Sequence, residues 1–123
     1  MIRKLATVSV YVQDQQQALE FWTDKVGFSV LADHPMGPDG RWIEVGPEGA
    51  HTRLVLYPRS LAQDWTERKP SIVFECDDIE ATFRKLADAG VVIKQPPKEM
   101  PWGIYAVFAD LDGHGYVLYQ PHA

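Results

Sequence analysis

Residues 14–27 read DQQQALEFWTDKVG and residues 77–90 read DDIEATFRKLADAG, and the likeness between these two stretches decides the fold. In the first, the Asp14 carboxylate can cap the opening turn of a helix while Gln17, three positions on, reaches back, an approximate capping box. Ala18, Leu19, Phe21, Trp22 and Val26 then recur at helical spacing, and Gly27 supplies the left-handed residue that stops the helix. In the second stretch Asp77 takes the cap position with Glu80 three residues later. Ile79, Phe83, Leu86 and Ala87 make the apolar stripe, and Gly90 ends it. Expected cap to expected cap, and glycine to glycine, the distance is 63 positions. The spacing predicts an internal repeat in which each helix lays one apolar face on a sheet.

The flanking segments repeat as well. Before the first helix, LATVSVYV (5–12) alternates, with Val8, Val10 and Val12 toward one face and Thr7, Ser9 and Tyr11 toward the other. After it come FSVLADH (28–34), RWIEVGP (41–47) and HTRLVLYP (51–58), separated by the turn-rich segments PMGPDG and PEGA. A polar connector, residues 59–69, leads to Pro70 and the order restarts: SIVFEC (71–76), the helix, VVIKQ (91–95), GIYAVFAD (103–110) and GYVLYQP (115–121). The last strand echoes LVLYP of the first half. The pattern predicts an α+β fold, one domain over residues 1–123 built from two βαβββ modules, 1–58 and 70–121.

At 123 residues the chain can bury one modest core without disulfide or metal. A composition 46% hydrophobic and 24% charged is that of a folded globular protein. The net charge is −5 and the twelve Lys and Arg residues are dispersed, which argues against a nucleic-acid partner. A single cysteine, Cys76, excludes an internal disulfide and any CxxC knuckle. The opening MIRKLATVSVYVQD holds too short an apolar run for a signal peptide or a membrane span, so a cytoplasmic protein with no membrane partner is expected.

The runs VYVQDQQQALEFWTDKVGF, RWIEVGPEGAHTRLVLYPR, CDDIEATFRKLADAGV and PWGIYAVFADLDGHGYVLYQ, in that order, resemble the vicinal oxygen chelate superfamily. That superfamily includes glyoxalase I, extradiol dioxygenases, fosfomycin-resistance proteins and bleomycin-resistance proteins. The resemblance covers nearly the whole chain. It implies a curled mixed sheet around a cavity, helices on the convex side, and a homodimer. In the metal-dependent members the first and last strands of each module supply ligands. Carried over by position, these fall on Thr7 and Ser71, on Leu54 (or Val55 if the register shifts by one) and on Val117. A first-row metal usually needs three imidazole, thiolate or carboxylate donors, and these side chains supply none. The expectation is therefore no metal and no cofactor, with Glu75, Glu44 and His51 the residues through which a displaced site would have to be built.

Without a metal, the predicted inward faces carry Thr7, Ser9, Tyr11, Ser71, Val73, Glu75, Val117 and Tyr119, with Leu54 and Leu56 beside them. Such a lining suits a small hydrophobic or aromatic molecule, although Leu54, Leu56 and Val73 fit core packing better. Trp42 and Trp102, each beside a turn or glycine, can stack on a ligand; Trp42 would equally seal a dimer interface. Arg41 and Arg53 could clamp an anion, with Arg53 expected at the surface. His34, His51, His114 and His122 all read as peripheral turn residues. Glu75, alternating with Ser71 and Val73, is the candidate catalytic residue, a general base in a dry pocket. The expected function is metal-independent binding of a small molecule, of the antibiotic-sequestration type. The alternative is an enzyme, a lyase, isomerase or dioxygenase, and a third reading is a subunit whose role is assembly.

Overall fold

The computed structural model describes residues 4–62, 71–101 and 103–122. Two compact units, residues 1–70 and 71–123, each carry one βαβββ module. In the first, β1 (Thr7–Val12) leads into α1 (Gln15–Glu20), whose axis continues through a π-helical turn (Phe21–Lys25); β2 (Ser29–Pro35), β3 (Arg41–Gly46) and β4 (Arg53–Pro58) follow. In the second, the order is β5 (Val73–Glu75), α2 (Ile79–Asp88), β6 (Ile93–Met100), β7 (Gly103–Ala109) and β8 (Gly115–Pro121). Each module builds its own four-stranded mixed sheet, ordered β1-β4-β3-β2 and β5-β8-β7-β6. The first strand runs parallel to the last and the other pairs are antiparallel. This is the α+β architecture that the repeat predicts, and neither sheet closes into a barrel. Among the described residues no helix is long and apolar enough to cross a membrane.

Register decides which side chains meet the helices. β1 pairs with β4 as Val8↔Leu54 and Val10↔Leu56 on one face, and as Thr7↔Arg53, Ser9↔Val55 and Tyr11↔Tyr57 on the other. Leu54 and Leu56, set beside the ligand-lining residues but expected to fit core packing better, lie on the opposite face and do pack in the core, whereas Val73, given the same role, is exposed. The two leucines are buried with Val10, Ile43 and Val45, and α1, which packs on β3 and β4, contributes Ala18. In the second unit α2 packs on β6, β7 and β8 and buries Ile79 and Leu86. Phe74, Phe108 and Tyr116 stack there, Phe108 against Tyr116 with centroids 5.4 Å apart.

The first cap is the expected one: Asp14 Oδ1 accepts from the Gln17 amide at 3.0 Å. The second is not Asp77 but Asp78, whose Oδ1 accepts from the Ala81 amide at 3.1 Å. Ile79 becomes the first helical residue, and its own amide is taken by Gln120 Oε1 of β8 at 2.8 Å. The true caps are thus 64 positions apart while the stop glycines, Gly27 and Gly90 at positive φ, remain 63 apart. Module one has one residue more between cap and stop. The π turn absorbs it, with the Val26 amide donating to the Phe21 carbonyl five residues back.

The hairpin between β7 and β8 is held by Asp110. Its carboxylate, nearly buried, accepts from the Asp112 and His114 amides at 2.9 Å through Oδ1 and from the Tyr116 hydroxyl at 2.7 Å through Oδ2.

Candidate ligand-binding site

The sheet face of module one that points away from α1 carries its chemistry in rows across the strands. One row is aromatic: Tyr11 on β1 meets Tyr57 on β4 edge to face with centroids 5.8 Å apart, and Tyr57 meets Trp42 on β3 in the same way at 6.5 Å. His34 on β2 is the register partner of Trp42. The next row is Ser9, Val55, Glu44 and Ala32. Thr7 and Arg53 follow.

A polar clasp joins these rows. The Trp42 indole Nε1 donates to Glu44 Oε2 at 2.7 Å, and Arg53 Nη1 donates to Glu44 Oε1 at 3.0 Å and to the Leu31 carbonyl at 3.5 Å. The Glu44 side chain is only 15% exposed, whereas Arg53 is 40% exposed. The indole hydrogen bond, and after it the guanidinium, hold the Glu44 carboxyl below the usual carboxylate range against the opposing effect of burial. Glu44 lies on the face of β3 opposite the buried Ile43 and Val45, as the register partner of Val55. Arg53, expected at the surface, is 40% exposed and joins this clasp as the ion-pair partner of Glu44. Arg41 is committed elsewhere: it pairs bidentately with Asp33 at 3.1 and 2.8 Å and donates to Gln16 at 3.0 Å, an ion pair at the strand edge.

Module two repeats the rows with different chemistry. Glu75, Tyr119, Tyr105 and Lys98 are successive register partners, and beside them run Val73, Val117, Val107 and Gln95. Val117 and Tyr119 are half-buried; Ser71, which precedes the strand, is exposed, as are Glu75 and Val73. Glu75 lies at the end of β5, where it lines a shallow pocket of about 310 Å³ with Cys76, Asp77, Gln120, Pro121 and His122. Burial pushes the Cys76 thiol up, so it is not a ready thiolate there. His51 and His34 are exposed, and the His122 ring lies 3.0 Å from the Met100 carbonyl. Trp102 lies outside the described residues.

The structure therefore gathers Thr7, Ser9, Tyr11 and Trp42 on one face, and Val117, Tyr119 and Glu75 on another. Sequence reasoning missed Tyr57, Tyr105 and the pairing of Arg53 with Glu44. A signal for them exists: Val-Leu-Tyr occurs at 55–57 and again at 117–119. Aligning the two sets Val55, not Leu54, as the counterpart of Val117, and puts Arg53 and Tyr57 on the same face.

The positions where the resemblance places metal ligands are thus Thr7, Val55, Ser71 and Val117, and they do not fit a metal ion. In module one Glu44, the register partner of Val55, already accepts from Trp42 and Arg53. Among the described residues no three His, Cys, Asp or Glu side chains converge.

Residues 4–118 match the family model of the glyoxalase/bleomycin resistance protein/dioxygenase superfamily. The chain belongs to this superfamily. Over 118 residues it is 50% identical to the protein YetH of Bacillus subtilis (strain 168), covering 96% of this chain and 98% of that one. The crystal structure of a superfamily member from Sphaerobacter thermophilus DSM 20745 superposes with a TM-score of 0.86 at 31% identity, over 97% of this chain and 98% of that one. TnmS3, an antibiotic binding protein from Streptomyces sp. CB03234, matches with a TM-score of 0.82 at 38% identity over 98% of each chain. Within the superfamily, then, this chain has the shared modules but none of the usual ligand side chains at the four strand positions.

Proposed function

We propose that this superfamily member binds a planar, largely aromatic small molecule without a metal, as a homodimer in the cytoplasm, in the manner of an antibiotic-sequestering protein. The observation that carries the reading is the aromatic row Tyr11–Tyr57–Trp42, in which Tyr11 is buried and Tyr57 and Trp42 stay half-buried, beside a carboxylate that is already neutralised by Arg53. Aromatic side chains lose little conformational freedom on binding and present wide apolar area, which is what a flat ligand needs. The likeness to an antibiotic binding protein supports the same reading. Thr7 and Ser9 add hydroxyls at the margin of the row, and Ser71, Glu75, Val117 and Tyr119 are the corresponding candidates in module two. The enzyme alternative rests on Glu75, which is exposed rather than enclosed in a dry pocket.

The test is a fluorescence titration with daunorubicin, a planar tetracyclic antibiotic, in the presence and absence of EDTA. Saturable quenching unchanged by the chelator, and about tenfold weaker binding in Trp42→Ala, is the expected result. Binding that EDTA abolishes, or quenching that never saturates, would overturn it. Glu75→Gln should weaken binding of daunorubicin, whose amino sugar is a cation, by no more than about threefold, since the carboxylate is exposed; a superfamily enzyme relying on that carboxylate would instead lose turnover by orders of magnitude.

A further inference from the structure

The clasp on the module-one face also bears on which aromatic molecules fit. This step rests on the ligand-binding reading above and narrows it. Both oxygens of Glu44 are engaged, one by the Trp42 indole and one by Arg53. An incoming cation would meet a carboxylate whose charge is already compensated. The Trp42 N–H is spent on Glu44, so that ring offers a ligand only its face and edge. Arg53 differs. Its described bonds, to Glu44 and to the Leu31 carbonyl, both leave from Nη1, and its side chain is 40% exposed. A guanidinium donates from Nε and from both terminal nitrogens and accepts nothing. The Nε and Nη2 edge is thus a charged donor on this face still able to bond a ligand; unlike the hydroxyls of Thr7, Ser9 and Tyr57 and the ring of His34 in the same rows, it can only donate.

We propose that the ligand carries an acceptor oxygen function, a carboxylate, phenolate or conjugated carbonyl, at the edge of its ring system, and that Arg53 receives it while the ring lies against Trp42 and Tyr57. Arg53 is in this sense a specificity-determining residue. The net charge of −5 points the other way, toward a cationic ligand. That long-range field is screened beyond about 8–10 Å at ordinary ionic strength, whereas a charge-assisted hydrogen bond acts at contact, so the local donor decides. Glu44 has a second part in this arrangement. By holding Nη1 it fixes the guanidinium, so that the remaining N–H groups are presented with less loss of side-chain freedom when a ligand binds.

The experiment uses three probes with one ring system: 1-pyrenecarboxylate, 1-pyrenemethanol and 1-pyrenemethylamine, the last a cation at pH 7. Each is titrated into the full chain, with energy transfer from tryptophan to pyrene as the readout. The carboxylate should bind about tenfold more tightly than the ammonium compound, with the alcohol between them. In the double variant Glu44→Gln/Arg53→Gln, which removes both charges and keeps an acceptor for the Trp42 N–H, the three affinities should converge to within about threefold. Circular dichroism confirms that the variant is folded, and Arg53→Lys with Glu44 intact, which keeps the charge but loses the planar fork, should restore only part of the preference. Tightest binding of the ammonium probe, or a preference that survives the double variant, would overturn the assignment. Equal saturable binding of all three probes would overturn it too, while leaving the planar-ligand reading in place. If no probe binds saturably, the planar-ligand reading fails and this inference with it.

Discussion

Trp42 and Glu44 stand two positions apart on one strand, and the indole N–H of the first donates to the carboxylate of the second across 2.7 Å. The bond fixes the plane of the largest ring on the open face of module one. It also makes that ring's orientation depend on the ionisation of its neighbour.

A pH dependence follows. Glu44 has its folded pKa depressed below the ordinary 4.5, first by the Trp42 hydrogen bond and then by Arg53. A depressed carboxylate contributes stability that is present above the unfolded value and lost as pH falls through the folded one. Glu44→Gln should therefore be less stable than the wild type by about 1 kcal/mol at neutral pH, discounted for the exposed arginine. The gap should close as pH is lowered below the ordinary 4.5 and through the depressed folded value. Urea denaturation of both proteins across that range is the measurement, and a gap independent of pH would count against the clasp.

Tyr57 is the hub of the aromatic row, in edge contact with Tyr11 on one side and Trp42 on the other. Tyr57→Leu should keep the fold, since the side chain is only half-buried, but weaken daunorubicin binding about tenfold. Equal binding by the variant would show that the ring is not part of the site.

Asp110 and Tyr116 form a buried pair in module two. Burial first, and the Asp110 charge beside it, push the Tyr116 phenol well above its ordinary 10.0. The phenol should stay silent in an alkaline absorbance titration of the folded protein until the chain unfolds. Because the raised group favours the protonated form in the native state, its contribution is fully present below pH 10 and lost as pH rises beyond it. Tyr116→Phe leaves one carboxylate oxygen unsatisfied and should cost about 1–3 kcal/mol in urea denaturation.

Two glycines at positive φ offer a paired test. At Gly103 a methyl group would stand 2.6 Å from the Gln120 carbonyl oxygen and 2.8 Å from the Tyr119 ring, while at Gly113 it would meet nothing within 4 Å. Gly103→Ala should destabilise by about 3 kcal/mol or more and disturb the Tyr119 row. Gly113→Ala should cost only the backbone strain, about 1 kcal/mol. Similar losses for both would mean that strain, not collision, dominates.

The modules, the order of strands and helices along the chain and the stop glycines were legible because alternation and helical spacing report burial directly, whereas the order of strands within each sheet was not. The open face was less so. Leu54 and Val55 are both apolar, so alternation alone cannot say which of them looks at the helix; only their pairing with Val8 and Ser9 does. Arg53 reads as a surface residue because a charge beside two leucines has no visible partner, and its partner Glu44 comes from another strand. The choice between Asp77 and Asp78 as cap was invisible for a similar reason: either carboxylate suits the position, and Gln120, far along the chain, takes the Ile79 amide and settles where the helix begins.

The π turn at Phe21–Lys25 shows how a helix takes up a surplus residue without disturbing the sheet beside it. Module one holds one residue more between cap and stop than module two, and the widened turn accommodates it while Phe21 and Trp22 stay buried. Deleting one residue from this turn would return the segment to the length that module two already uses, so the surplus is a local property of the helix and not of the strands that follow.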